Sequence, residues 1–281
     1  MVTKEDVIKY YEECDSEYNL VWTGERDLAI HYGFWEPHIK KHSDALVNMN
    51  RVLAKRVKIR PDDVVLDAGC GIGGSSIWIA KNIGARVIGI TISQKQVDNA
   101  KKLAEENGVG DRVEFLKRDY LDTKFEKNSF DVVWGLESVC HAKNKGDFIR
   151  EAWRILKPGG RLVVADGFMK KEKLDPEENR LVGKLLGGWY VPELAGISKF
   201  SGYLKGMKFR DIRFSDVTNN VMPSSKRIYR LSVCGIGLWK LMRFFGIKSE
   251  MQVNHLVAGI CQYKALRKGL CVYGIFSAEK R

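Results

Sequence analysis

Three absences in this 281-residue chain each close off a class of protein. Its six cysteines, at positions 14, 70, 140, 234, 261 and 271, form no C-x-x-C pair, so neither a zinc site nor a disulfide framework is expected. No uncharged apolar run reaches the roughly 18 residues a membrane-crossing helix needs. The opening Met1-Val2-Thr3-Lys4-Glu5-Asp6 shows no basic stretch followed by an apolar one, and the expected location is the cytoplasm. Internal repeats and low-complexity tracts are also lacking. With 44% hydrophobic and 10% aromatic residues the composition excludes a disordered or collagen-like chain, and the length allows one or two domains with a real core.

Charge is abundant but unevenly placed. Residues 1–198 carry 31 basic and 31 acidic side chains, whereas residues 199–281 carry 16 basic and 4 acidic ones, so the C-terminal part holds the whole net charge of +12. A basic region confined to one part of a chain points to an anionic partner there, either a membrane surface or nucleic acid.

From about residue 60 the pattern becomes regular. Short apolar, β-branched runs at Val64–Leu66, Val87–Ile90, Val113–Leu116, Phe130–Trp134 and Leu162–Ala165 alternate with helical stretches near Ser75–Ile83, Gln94–Asn107 and Asp147–Leu156. Pro158-Gly159-Gly160 predicts a turn before the fifth run. This alternation predicts an α/β fold with a parallel sheet covered on both faces. Lys4–Trp22 reads as a helix bearing Tyr10, Tyr11 and Tyr18. Phe209–Val217 and Gly269–Ala278 read as two further strands, separated by helices near Ser224–Phe245 and Ser249–Leu266.

Asp67-Ala68-Gly69-Cys70-Gly71-Ile72-Gly73-Gly74 follows the first strand and opens a helix. Glycine there lets the backbone approach a ligand, and the free N–H groups at the helix start face it. The same glycines also serve a plain tight turn. Two later segments bear on the choice: Gly89-Ile90-Thr91-Ile92-Ser93-Gln94-Lys95-Gln96 and Leu156-Lys157-Pro158-Gly159-Gly160-Arg161-Leu162. Together and in this order the three resemble the class I methyltransferases that use S-adenosylmethionine (SAM), over roughly residues 25–281. A dinucleotide dehydrogenase would carry an acidic residue about 20 positions after its glycines, where this chain has Thr91.

The resemblance implies a Rossmann-like class I methyltransferase fold: a mostly parallel seven-stranded sheet, helices on both faces and a helical lid. It implies an N-terminal helical cap over residues 1–60 and a methyltransferase domain over 61–281, with lid insertions near 170–205 and 220–267. It also implies that SAM is bound, and S-adenosylhomocysteine left, by Asp67, Gly69, Cys70, Gly71, Thr91, Ser93, Gln96, Asp119, Tyr120 and Leu136. In that reading Gly69 and Gly71 pass along the methionine part and Asp67 orders the loop. Thr91, Ser93 and Gln96 meet the ribose through neutral hydrogen bonds, and Asp119 beside Tyr120 accepts from the adenine amino group. Asp119 also reads as an ordinary cap or turn residue.

After the fourth strand comes Gly135-Leu136-Glu137-Ser138-Val139-Cys140-His141-Ala142. Glu137 and His141 stand four apart, which predicts a shared helix face if a helix starts there. Glu137-x-x-Cys140-His141-Ala142 is similar to sterol side-chain methyltransferases. The Gly-Ile-Gly-Gly-Ser-Ser loop, Val-Trp-x-x-Glu-Ser and the stretch Gln262-Tyr263-Lys264 to Leu270 are more similar to tocopherol methyltransferases and related alkaloid N-methyltransferases. All take hydrophobic acceptors. Where carbon is methylated, a carboxylate (Glu137) can stabilise a cationic intermediate and a base (His141) can take the departing proton. The bland alternative closes a helix with Glu137 and packs His141 under the lid. Cys140 reads as packing.

His31-Tyr32-Gly33-Phe34-Trp35 also recurs in these families, where it covers the SAM site and acceptor pocket; aromatic faces there can shield a sulfonium or carbocation, and plain packing of an N-terminal helix onto the sheet is the other reading. Tyr18, Trp22, Tyr32, Trp35, Trp189 and Tyr190 are accordingly expected to line the acceptor pocket. The stretch 226–248, apolar around most of a helix and flanked by Lys226, Arg227, Arg230 and Lys248, fits either peripheral contact with an anionic bilayer or a lid with a solvated basic back. No nucleic-acid partner is expected, since no RNA-binding module is present. The expectation is a SAM-dependent methyltransferase acting at carbon of a lipophilic, prenyl-derived acceptor, with N- or O-methylation of a small hydrophobic metabolite as the alternative.

Overall fold

The computed structural model describes residues 2–14 and 31–281. Tyr18 and Trp22 therefore lie outside the described residues. The first helix, α1 (Lys4–Glu13), is capped by Thr3, whose hydroxyl accepts from Asp6 N while Asp6 accepts from Thr3 N. It is shorter than the expected Lys4–Trp22, with Cys14 as its C-cap. Helix α2 (His42–Arg56) then buries Leu46, Met49 and Leu53.

Seven strands follow: β1 (Val64–Ala68), β2 (Arg86–Thr91), β3 (Val113–Lys117), β4 (Phe130–Leu136), β5 (Leu156–Met169), β6 (Phe209–Asp216) and β7 (Cys271–Lys280). They form one sheet in the order β3-β2-β1-β4-β5-β7-β6, in which only β7 runs against its neighbours. Helices α3 (Gly74–Ile83), α4 (Gln94–Glu106) and α5 (Lys145–Ile155) cross between the early strands. Parallel β1, β2 and β4 thus present their C-terminal ends at one edge. The chain turns from β1 outward to β2 and later inward to β4, so a crevice opens above β1 and β4.

Val65, Leu66, Val132, Val133, Val163 and Val164 are fully buried in the central strands, which is why these runs read as continuous β-branched text with little alternation. The expected turn at Pro158-Gly159-Gly160 is instead a bulge within β5. Phe130 pairs with Leu156 and Val132 with Arg161, so six residues of β5 face three of β4, and Gly159 takes φ +75°.

Helices α6 (Pro176–Gly188) and α7 (Ile197–Gly206) follow β5, and α8 (Thr218–Phe244) and α9 (Glu250–Arg267) lie between β6 and β7. Helix α8 begins six residues before the expected Ser224 and carries Pro223 in its second turn. A proline near a helix start removes few backbone bonds. The buried Ser224 also anchors this end, its hydroxyl accepting from Gly33 N at 3.1 Å and Trp35 Nε1 at 2.9 Å. Contacts pair Gly259 with Ser232, Tyr263 with Tyr229 and Glu250 with Arg243, so α8 and α9 form an antiparallel hairpin. Among the described residues, no helix is long and apolar enough to cross a membrane.

Candidate active site

The glycine loop bends because its geometry admits little else. Gly69 sits at φ +87°, and a Cβ there would fall 2.4 Å from the Cβ of Ser138. The N–H groups of Gly69 and Cys70 both donate to the Ile90 carbonyl at 2.9 Å, tying the loop to β2. Asp67, buried at the end of β1, accepts from Ser76 Oγ at 2.7 Å, which fixes the loop to α3. Burial raises its carboxyl to about 6.

Eight of the ten residues expected at a cofactor site line the cleft above this loop: Asp67, Gly69, Cys70, Gly71, Thr91, Gln96, Tyr120 and Leu136. Thr91 Oγ1 donates to Gln96 Oε1 at 2.6 Å, and the Tyr120 hydroxyl donates to the Ser138 carbonyl at 3.0 Å. Ser93 and Asp119 do not line it. Ser93 caps α4 and its hydroxyl donates to Glu12 of α1 at 3.0 Å. Asp119 accepts from Leu121 N at 2.8 Å in a local turn and pairs with Lys4 of α1. Both positions are thus covered by the N-terminal helix. Val7, Tyr11, His31 and Arg118 also line the cleft.

The segment after β4 does not start a helix. Glu137 takes φ +51° and the chain closes a single 3₁₀ turn, Val139–His141, before α5 starts at Lys145. Glu137 and His141 are therefore brought together by a bend, not by helical spacing. Oε1 of Glu137 accepts from Tyr32 N and from the Tyr273 hydroxyl, both at 2.7 Å. Burial outweighs these donors and pushes its carboxyl up to about 8. His141 Nδ1 lies 3.1 Å from the Tyr190 carbonyl, which only accepts, so Nδ1 carries the proton. Nε2 is then the acceptor, 2.9 Å from the Tyr11 hydroxyl. Burial holds His141 near 4, so the ring is neutral at physiological pH.

No sequence motif marks the support beneath this bend. Lys145 Nζ donates to the carbonyls of Cys140, Ala142 and Glu193 at 2.6–2.9 Å, and Asp166 accepts from Cys140 N at 2.8 Å. Burial raises Asp166 to about 6.

A second cavity opens on the far side of Glu137. Tyr32, Trp189, Val191, Leu185, Leu186, Leu194, Leu266 and Val272 make it mostly apolar, and Glu137, His141, Asp166, Gln262 and Tyr273 supply its polar edge. Tyr11, Glu137 and His141 belong to both cavities. Of the expected acceptor residues, Tyr32 and Trp189 line this space. Trp35 and Tyr190 do not: Trp35 donates to Ser224 and stacks on His42, and Tyr190 stacks on Tyr10 with ring centroids 5.2 Å apart. Of the α6, α9 and β7 side chains in the wall, only Gln262 and Leu266 lie in a stretch singled out by the sequence.

A family model described as a methyltransferase domain matches residues 66–164. Over 99% of this chain and 78% of the relative, the sequence is 30% identical to a probable tocopherol O-methyltransferase, chloroplastic, of Oryza sativa subsp. japonica. The chain belongs to the class I SAM-dependent methyltransferases. It is also 34% identical, over 79% of its length and 70% of the relative, to a 2-methyl-6-phytyl-1,4-hydroquinone methyltransferase of Synechocystis sp. (strain ATCC 27184 / PCC 6803 / Kazusa). Among solved structures, the [4+2]-cyclase SpnF superposes with TM-score 0.80 at 25% identity, covering 99% of this chain and 97% of that one. The methyltransferase therefore has the family's seven-stranded fold and uses SAM.

One consequence concerns stability. An unfolded glutamate ionises near 4.3, whereas folded Glu137 keeps its proton to about 8, so the folded chain binds more protons in between. The stabilisation is complete below the unfolded value and is lost as pH rises through the folded one. Between pH 6.5 and 8 Asp67 and Asp166 are largely ionised, while His31 and His141, neutral when buried but half protonated at pH 6.5 when unfolded, offset part of the loss. Denaturant unfolding of the donor-free enzyme is expected to show a net loss of about 1 kcal/mol across this window. A Glu137→Gln variant should abolish that loss.

Proposed function

We propose that this methyltransferase moves the methyl group of SAM onto a carbon of a lipophilic, prenyl-derived acceptor. One observation carries the reading: a cleft beside the glycine loop and an apolar cavity meet at Tyr11, Glu137 and His141. Residues Asp67, Gly69, Gly71, Thr91, Gln96 and Tyr120 fit the donor. The loop backbone lines the cleft, and a Cβ added at Gly71 would meet no protein atom within 4 Å, so the space above it is free for a ligand. When bound, SAM supplies an electrophilic methyl carried by a sulfonium.

The chain's own groups then account for the rest. A carbon that accepts a methyl group gains positive charge and must shed a proton. Glu137 presents a buried carboxyl where that charge arises, and a cation in either cavity favours its ionised form. His141 offers a neutral Nε2 at the same junction, held in this tautomer by the Tyr190 carbonyl, and the Tyr11 hydroxyl that donates to Nε2 can pass a proton to it. Tyr32, Trp189 and the leucines of α6 and α9 exclude water from the acceptor. The relatives named for tocopherol and for 2-methyl-6-phytyl-1,4-hydroquinone support a prenylated ring as acceptor.

Incubation with methyl-labelled SAM and three acceptors, a prenylated hydroquinone, a sterol and a small hydrophobic amine, tests the reading. Label is expected on carbon of one of the first two. His141→Ala should lower kcat for that acceptor by about 10²-fold. Label confined to nitrogen or oxygen, with His141→Ala unaffected, would favour the small-metabolite alternative.

A further inference from the structure

Helix α8 continues well beyond the body of the protein, and what it carries there is unusual. Among the described residues, the exposed large hydrophobic side chains all fall between Leu231 and Ile247, with Phe244 82%, Phe245 66% and Ile247 64% exposed. Taken at 100° per residue, Lys226, Arg230, Val233, Leu241 and Phe244 share an arc of about 80°. That arc lies opposite the buried Val221, Ile228 and Ser232. The outward face is thus cationic near the body and apolar towards the tip. Lys240, Arg243 and Lys248 flank the tip, and no acidic residue occurs between Asp216 and Glu250.

We propose that the outer face of α8 and the α8–α9 tip form a docking surface for an anionic phospholipid bilayer. The apolar tip enters the interface and the cations lie among the lipid headgroups. A second copy of the chain fits poorly there, because a two-fold contact sets the same five cations against one another, and Glu250 is already paired with Arg243. The hairpin also connects the surface to the chemistry: α9 runs back from the tip and places Gln262 and Leu266 in the apolar cavity. The surface stands on its own geometry. Its use in loading that cavity from the membrane rests on the lipophilic-acceptor reading.

Co-sedimentation of the full chain with vesicles, without SAM or acceptor, tests the surface independently of that reading. Vesicles of phosphatidylcholine with about 30 mol% phosphatidylglycerol are expected to bind the enzyme, more weakly as salt rises, and pure phosphatidylcholine far less. The double variant Phe244→Glu/Phe245→Glu should lose binding at least about tenfold, with an unchanged melting temperature because both rings are exposed. Lys226→Glu/Arg230→Glu should weaken binding to the anionic vesicles by roughly thirtyfold or more. Wild-type enzyme that ignores anionic vesicles overturns the proposal, as does a folded Phe244→Glu/Phe245→Glu variant that binds them normally. A dimer in light scattering that this variant dissolves would assign the tip to a second copy and overturn it equally.

Discussion

Glu137→Gln is expected to slow methyl transfer to a carbon acceptor by about 10²–10⁴-fold while leaving the fold intact. Glutamine keeps an oxygen where Oε1 accepts from Tyr32 N and the Tyr273 hydroxyl, so the bend after β4 should survive. What disappears is the ability to become negative. In the donor-free enzyme burial holds the carboxyl at about 8, mostly protonated at pH 7. A cation bound beside it favours the ionised form, so SAM binding should release a proton that the glutamine variant cannot supply. Calorimetry in two buffers of different ionisation enthalpy reads that proton without any turnover. Wild-type rates in the variant would remove Glu137 from the chemistry. An unchanged buffer dependence would separate it from the donor.

The second large effect concerns two glycines of one loop that should fail in different ways. Gly69→Ala places a methyl group 2.4 Å from the Ser138 Cβ at a backbone φ of +87°. Ser138 cannot yield easily, since its hydroxyl donates to the Ala68 carbonyl at 2.5 Å. Strain and overpacking together are expected to cost about 2–5 kcal/mol of stability. Affinity for S-adenosylhomocysteine should fall on the order of 10²-fold with the loop's shape. Gly71→Ala meets no protein atom and bears only the mild penalty of φ +54°, about 1 kcal/mol. Its expected signature is a nearly normal melting temperature with clearly weaker cofactor binding. A Gly71→Ala enzyme that binds the product as tightly as wild type would place the cofactor away from this loop.

Most of the scaffold was legible because its signals are local. β-branched runs buried on both faces mark the parallel strands, and glycines forced to positive φ mark the loop at the end of β1. Where the reading slipped, a distant partner had overruled a local rule. Pro158-Gly159-Gly160 reads as a turn, yet β5 pairs with β4 on both sides of it, at Leu156 and Arg161, and runs through it as a bulge. Glu137 and His141 suggest a helix by spacing, but Ser138 must seat against Gly69 and Lys145 must gather three carbonyls, which leaves room for one 3₁₀ turn. Ser93 and Asp119 belong to motif positions, yet α1 reaches across and occupies both with Glu12 and Lys4.

The amino-acid order alone therefore settled the strand sequence and the donor, since backbone conformation and burial on two faces restrict residue type at each position. Only the folded chain decided the acceptor cavity. Its wall joins α6 to α9 and β7, with Leu185 and Tyr273 standing 88 positions apart in the chain, and apolar side chains facing a cavity read the same as side chains facing a core. The protonation of Glu137 and the tautomer of His141 likewise follow from depth and from neighbours such as Tyr273 and Tyr190, which no spacing rule contains.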